Sequence, residues 1–180
     1  MHFSRNIEKI NMSKTAEVAD LALSLKEQGQ KIINMATGEL SFKPALSIRK
    51  EACRTINKGE TLYTQVAGLK ELRDLISAKL KKDLKIDYKC DEIIVSNGGK
   101  QVIYNALQST INRGDEVIII SPYWVSYPEI IKLCGGKPKV LNTIRREGFS
   151  INTEKLEKLI TSKTKWIILN SPNNPTGVVY

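Results

Sequence analysis

Apolar residues recur along this chain with two different periods, and the change of period divides it. Over residues 13–29, Val18, Leu21, Ala22 and Leu25 share one face of a predicted helix that Gly29 stops. Ile32-Ile33-Asn34-Met35 reads as a short extended run ending in the turn Thr37-Gly38-Glu39. Pro44 suits the first turn of a second helix that carries Ile48, Ala52 and Ile56 and ends at Gly59. After the loop Tyr63-Thr64-Gln65-Val66-Ala67-Gly68, the residues Leu69, Leu72, Ile76 and Leu80 keep helical spacing. This first third predicts helices and no strong sheet.

Beyond residue 90, short continuous apolar runs alternate with helical patterns. Runs at 92–96, 116–121, 139–143 and 165–170 have strand length. Between them lie a helix with Val102, Ile103, Ala106, Leu107 and Ile111, a helix around 129–133 closed by Gly135-Gly136, and a helix with Leu156, Leu159 and Ile160 that Asn152 or Thr153 can cap. Buried strands alternating with helices predict an α/β protein with a parallel, helix-covered sheet. Four strands, with no helix after the last, read as one part of a doubly wound sheet.

Composition narrows the class. With 180 residues, 41% hydrophobic and 26% charged, the chain has the makings of a folded core and is no disordered tail. Cys53, Cys90 and Cys134 are too scattered for a disulfide framework, and a lone His2 argues against a metal site. The longest apolar stretch, Val117-Ile118-Ile119-Ile120, falls far short of the ~18 residues of a membrane helix. The N-terminus, with Arg5, Glu8 and Lys9, lacks the apolar core of a signal peptide. A reducing cytoplasm is the expected compartment. The net charge of +9 raises nucleic-acid binding as a reading. The excess is spread over both halves, however, and its densest run, Lys79-Leu80-Lys81-Lys82, suits a solvated helix face.

Ligands of open parallel sheets bind at the carboxyl ends of the strands. Three predicted strand ends carry unusual residues there. Asn97-Gly98-Gly99-Lys100 places side-chain-free turns before a helix start, an arrangement that seats an anion on backbone N–H groups; a tight turn with nothing bound is the plain alternative. Neither GxxxxGK[ST] nor GxGxxG occurs. Pro122-Tyr123-Trp124 offers an indole that either stacks on a planar ligand or lids the sheet. Asn173-Asn174-Pro175 is either turn chemistry or an amide donor at a strand end.

Together these segments resemble a known family. Ser171-Pro172-Asn173-Asn174-Pro175-Thr176-Gly177 matches the S-P-x-N-P-T-G motif of class I/II pyridoxal-phosphate aminotransferases. Ser121-Pro122-Tyr123-Trp124-Val125-Ser126-Tyr127-Pro128, Val95-Ser96-Asn97-Gly98-Gly99-Lys100-Gln101 and the stretch from Tyr63 to Arg73 are similar to the bacterial aspartate aminotransferase subgroup. The match runs nearly end to end, over less than half of a member's usual length. It implies fold type I, with residues 1–45 as an N-terminal segment and part of the small domain, and 46–180 as an incomplete cofactor-binding large domain. It further implies pyridoxal 5'-phosphate as cofactor, an amino acid (aspartate) and a 2-oxo acid as substrates, and a homodimer.

Carried over by position, the resemblance implies that the turn at Gly98, Gly99 and Lys100 holds the cofactor phosphate through its backbone amides. Trp124 stacks near the pyridine ring and reaches the substrate carboxylate. Asn174 donates to the ring oxygen and the substrate α-carboxylate, Tyr63 reaches the neighbouring subunit's cofactor phosphate, and Gly38 contacts substrate. The family's G-E-P-D-F loop reads Gly38-Glu39-Leu40-Ser41-Phe42 here. In the family the Schiff-base lysine, the aspartate on the pyridine nitrogen and the carboxylate-binding arginine all lie beyond position 180. No catalytic residue is therefore assigned within these residues, and the chain alone is expected not to transaminate. A non-catalytic remnant that binds pyridoxal phosphate weakly stands as the alternative. Some family members also use prephenate, which these residues do not decide.

Overall fold

A computed structural model describes residues 2, 4, 7–11, 13–36, 38 and 40–180. The chain divides into two compact units, Met1–Thr37 with Lys100–Tyr180, and Gly38–Gly99.

The first unit is built on a parallel sheet of three strands, β1 (Glu116–Ser121), β2 (Lys137–Asn142) and β3 (Thr164–Ile168), in the order β2-β1-β3. Helices α4 (Gly99–Thr110), α5 (Ser126–Leu133) and α6 (Thr153–Leu159) pack against it, and the unit also contains α1 (Lys14–Glu27). The central strand β1 is buried over Glu116–Ile120, as a strand covered on both faces must be. Its side chains alternate. Val117 and Ile119 join Leu107, Ile111, Tyr127, Ile130, Ile131 and Cys134 on one face, while Ile118 and Ile120 join Leu141 on the other, against Ile151, Leu156 and Leu159. Each such side chain, wholly withdrawn from water, contributes about 1.5–3 kcal/mol.

Side-chain caps mark the starts of two of these helices, the Asn152 one as the sequence implies. Asn152 accepts from Lys155 N–H and starts α6, and Ser13 accepts from Ala16 N–H and starts α1. Glu116, the one buried acid among the described residues, enters the sheet in company. Thr161 Oγ1 donates to it at 2.7 Å and Lys139 Nζ lies 3.4 Å away. The Thr161 hydroxyl, aided by Lys139, holds the Glu116 carboxyl below its ordinary range against the opposing effect of burial.

The second unit contains α2 (Leu46–Asn57), α3 (Lys70–Leu84) and a 3-10 turn at Cys90–Glu92. Arg73 of α3 holds it together. Its guanidinium donates to Gly68 O, Cys90 O and Gln65 Oε1 at 3.2, 3.0 and 2.7 Å. Gly68 is required by conformation and by space: its φ is +97°, and a Cβ there would lie 2.8 Å from Val95 Cβ.

The predicted α/β class and the strand at 116–121 stand as read. Three details differ. Residues 92–96 form no strand of a sheet among the described residues: Val95 N–H donates to Ala67 O, and Ile94 is exposed. An apolar run reports burial or extension but not a pairing partner, so it cannot by itself specify a ladder. Pro44 precedes α2 rather than occupying its first turn, since Ala45 is the N-cap. Strand β2 begins two residues earlier than the apolar run, because Lys137 and Pro138 pair with Glu116 and Val117; β2 is an edge strand, where a missing N–H is tolerated. The turn read at 37–39 falls partly outside the described residues. None of α1, α2 and α3 carries a buried residue, so apolar side chains such as Leu21, Ile56 and Leu75 remain exposed.

Ile119→Ala should cost about 2–5 kcal/mol in denaturant unfolding, against less than about 0.5 kcal/mol for the exposed Leu62→Ala; equal losses would contradict this core. The stability that ionised Glu116 contributes is complete above about pH 4.3, the ordinary Glu value. It is lost as pH falls through the lower folded value. Glu116→Gln should therefore lower the thermal midpoint at pH 7 and flatten its decline at acid pH. An unchanged acid limb would refute that assignment.

Candidate functional site

Parallel strands deliver their following turns to one edge, and the sheet of the first unit does so here. The turn after β1 carries Trp124 and the turn after β3 carries Asn174. Beside β2, Ser121 Oγ donates to Asn142 Oδ1 at 3.2 Å and Thr143 Oγ1 donates to Ser121 O, so the end of β1 is tied down before its turn begins.

Trp124 is half-buried and packs on the Val117–Ile119 face of the core. Tyr127, one helical turn on, meets it edge to face with centroids 5.5 Å apart and planes at 89°. Burial raises the Tyr127 phenol pKa. Lys100 Nζ sits 5.2 Å from the centre of the indole ring. An exposed cation–π contact of this kind is worth about 0.5–1 kcal/mol, little enough for a ring-shaped ligand to displace.

The α4 start retains the features expected of an anion seat. Gly98 has φ +86°, Gly99 opens the helix, and a Cβ added at either would meet nothing within 4 Å. The N-terminal end of α4 adds partial positive charge at this turn. Lys100 also lines a cleft of about 410 Å³, together with Ser13, Lys14, Ser126 and Glu129. Burial pushes the Glu129 carboxyl up, but Lys132 and the Asn11 N–H outweigh it and hold the pKa below normal.

In the turn after β3, Asn174 is exposed, and its N–H donates to Asn170 Oδ1 at 2.9 Å. The preceding Asn173 is buried. Its Nδ2 donates to Pro122 O at 2.9 Å and to Thr176 Oγ1 at 2.8 Å, linking this turn to the one that holds Trp124. The first unit thus brings Lys100 to Trp124 directly, and Asn174 towards the Trp124 turn through Asn173. Tyr63 and Gly38 belong to the second unit. Tyr63 is fully exposed at the start of the loop whose far end Arg73 anchors. Gly38 is exposed as well.

Sequence reading passed over Asn173 and Tyr127. A second asparagine in an Asn-Asn-Pro run looks like ordinary turn chemistry, and nothing local marks it as buried. The Tyr127 contact was in principle available from its three-residue spacing to Trp124 on a helix start.

Comparison with known proteins agrees with this geometry. The profile of the family described as Aminotransferase class I and II matches residues 30–180. A probable aspartate/prephenate aminotransferase of Rhizobium leguminosarum bv. phaseoli is 45% identical over 174 residues, covering 97% of this chain and 44% of the relative. The aspartate aminotransferase of Bacillus subtilis (strain 168) is 42% identical over 180 residues, 100% of this chain and 46% of the relative. Among solved structures, aspartate aminotransferase from Thermus thermophilus with maleate superposes with a TM-score of 0.96 at 38% identity, over 100% of this chain and 47% of that one. The Thermotoga maritima aspartate aminotransferase gives 0.93 at 42%, over 99% and 48%. The chain therefore spans less than half the length of the relatives it matches. Within that span the fold superposes and the family profile matches residues 30–180, and the chain belongs to the class I and II aminotransferases.

Proposed function

We propose that this chain supplies the phosphate-binding and ring-stacking part of a pyridoxal-phosphate-dependent aminotransferase that moves an amino group between aspartate and a 2-oxo acid. The observation that carries this reading is the common edge of the sheet, on which Trp124 and the Asn174 turn are tied together by one buried amide. When bound, pyridoxal phosphate supplies the aldehyde that takes up the amino group and the ring that accepts electrons. The open space over Gly98 and Gly99 fits a phosphate approaching backbone N–H groups, with no side chain to obstruct it. Trp124 offers its ring to the pyridine once Lys100 swings aside, and Tyr127 keeps the indole from turning with it. Asn174 presents a carboxamide for the ring oxygen and the substrate α-carboxylate.

Lys100 then has a second task. Lys100 also lines the neighbouring cleft, where the Glu129 charge is already compensated by Lys132, so its ammonium, turned away from the Trp124 ring, would present a net positive group to that space. That suits the side-chain carboxylate of an acidic amino acid. The Thermus relative was solved with maleate, itself a dicarboxylate. Tyr63, exposed in its own chain, is suited to the cofactor phosphate of a partner subunit in a homodimer, and Gly38 to backbone contact with substrate. Residues 1–45 would serve the N-terminal segment and small domain, and 46–180 the large domain. The Schiff-base lysine comes from the part of the family's length that these residues do not span, and a reducing cytoplasm suits the free thiols.

Two glycine variants separate binding from folding. Gly99→Ala has room and helical geometry, so its thermal midpoint should hold or rise, while pyridoxal-phosphate affinity falls by about tenfold. Gly98→Ala should lower the midpoint as well, by about 1 kcal/mol of stability, because its φ is +86°. Fluorescence titration with pyridoxal phosphate decides; unchanged affinity in both variants would remove the phosphate seat. Protein isolated from its source should also transfer the amino group of aspartate to a 2-oxo acid. Its failure to do so with cofactor bound would overturn the substrate assignment.

A further inference from the structure

We infer that Asn173 is a positioning residue, whose buried carboxamide sets the distance and angle between the Trp124 turn and the Asn174 turn. The inference deepens the proposed function, since it rests on those two turns facing one planar ligand.

Ladder pairing between β1 and β3 runs only to Ile119 and Ile168. Past that point no sheet register fixes the two turns against each other, although the groups of interest lie five and six residues farther on. On its other flank β1 is paired with β2 as far as Ser121 and Asn142, and side-chain bonds reinforce that end. The turn after β3 is the one left to be placed. Asn173 places it through Pro122 O, 51 positions away in sequence and two residues before Trp124. Its second amide hydrogen goes to Thr176 Oγ1, and its own backbone closes the turn, with N–H to Val178 O at 2.8 Å and the carbonyl accepting from Gly177 N–H at 2.7 Å.

The chemistry is demanding. Pro122 O can only accept, so the side chain must bring a donor to it, and the same nitrogen serves Thr176 Oγ1 with its second hydrogen. A carboxylate of the same shape has none, and a buried carbonyl left facing it would be repelled and unpaired. Asn173 and Glu116 are the only buried polar or charged side chains among the described residues: Glu116 opens β1, and Asn173 bonds to Pro122 just past its other end. Glu116 secures the end remote from the candidate site, which makes it the natural control.

The test uses protein labelled with 5-fluorotryptophan, which carries two reporters, Trp124 near the clamp and half-buried Trp166, whose Nε1–H donates to Thr110 Oγ1. Fluorine NMR and pyridoxal-phosphate titration are read on wild type, Asn173→Ala, Asn173→Asp and Glu116→Gln, with Trp124→Phe for assignment. Both Asn173 variants should move or broaden the Trp124 line, leave the Trp166 line in place and weaken pyridoxal phosphate by about tenfold or more. Glu116→Gln should do neither. An unmoved Trp124 line in folded Asn173→Ala, or equal changes in Glu116→Gln, overturns the inference. If the Asn173 variants unfold and both lines collapse together, Thr176→Val, which removes one acceptor, decides by the same criterion on the Trp124 line. Wild-type protein that binds no pyridoxal phosphate would overturn the proposed function, while the fluorine lines would still decide the role of Asn173.

Discussion

The burial of β1 on both faces is the constraint from which the rest of the first unit follows. A strand with no solvated face must find backbone partners on both sides and apolar cover above and below. Parallel β2 and β3 supply the partners, and α4, α5 and α6 the cover. Parallel pairing then has a chemical consequence, because every strand points its following turn the same way. Trp124 and Asn174, fifty residues apart in sequence, are brought to one edge in this way. At the two ends of β1, where apolar cover gives out, the structure turns to buried polar groups: Glu116 with Thr161 and Lys139, and Asn173 bridging the turns.

Core and site divide the labour cleanly. Residues that build the core sit on strands and helix faces and are buried. Those assigned to ligands, Gly98, Gly99, Lys100 and Asn174, are exposed on turns or a helix start, with Trp124 between the two classes because it both packs and presents a ring. The second unit relies on a polar hub instead: Arg73 gathers carbonyls from two loops and holds the segment that follows Tyr63. None of α1, α2 and α3 carries a fully buried residue within the chain. That accords with a span of less than half the length of the relatives.

Much of this was legible in sequence wherever one physical signal dominated. Strand β1 has a run of β-branched residues between turn signals and was read to the residue. The start of α6 carries an asparagine cap and was likewise plain. Residues 92–96 carry the same kind of run but lack a neighbour, and pairing is a property of two segments rather than one. The motif residues Trp124 and Asn174 could be found by resemblance, whereas Asn173 could not be weighed, because its burial depends on Pro122 across the sheet. The stacking of the Lys100 ammonium on Trp124 is likewise a tertiary contact between residues far apart in sequence.

The most direct measurement of the central claim is a crystal structure of the protein with pyridoxal 5'-phosphate. The account predicts the phosphate at the start of α4, within hydrogen-bonding distance (about 3 Å) of the Gly99 and Lys100 N–H groups. The pyridine ring should stack on Trp124, with Lys100 displaced from it. A phosphate bound elsewhere, or a ring that leaves the Lys100–Trp124 contact intact and Asn174 untouched, would contradict it.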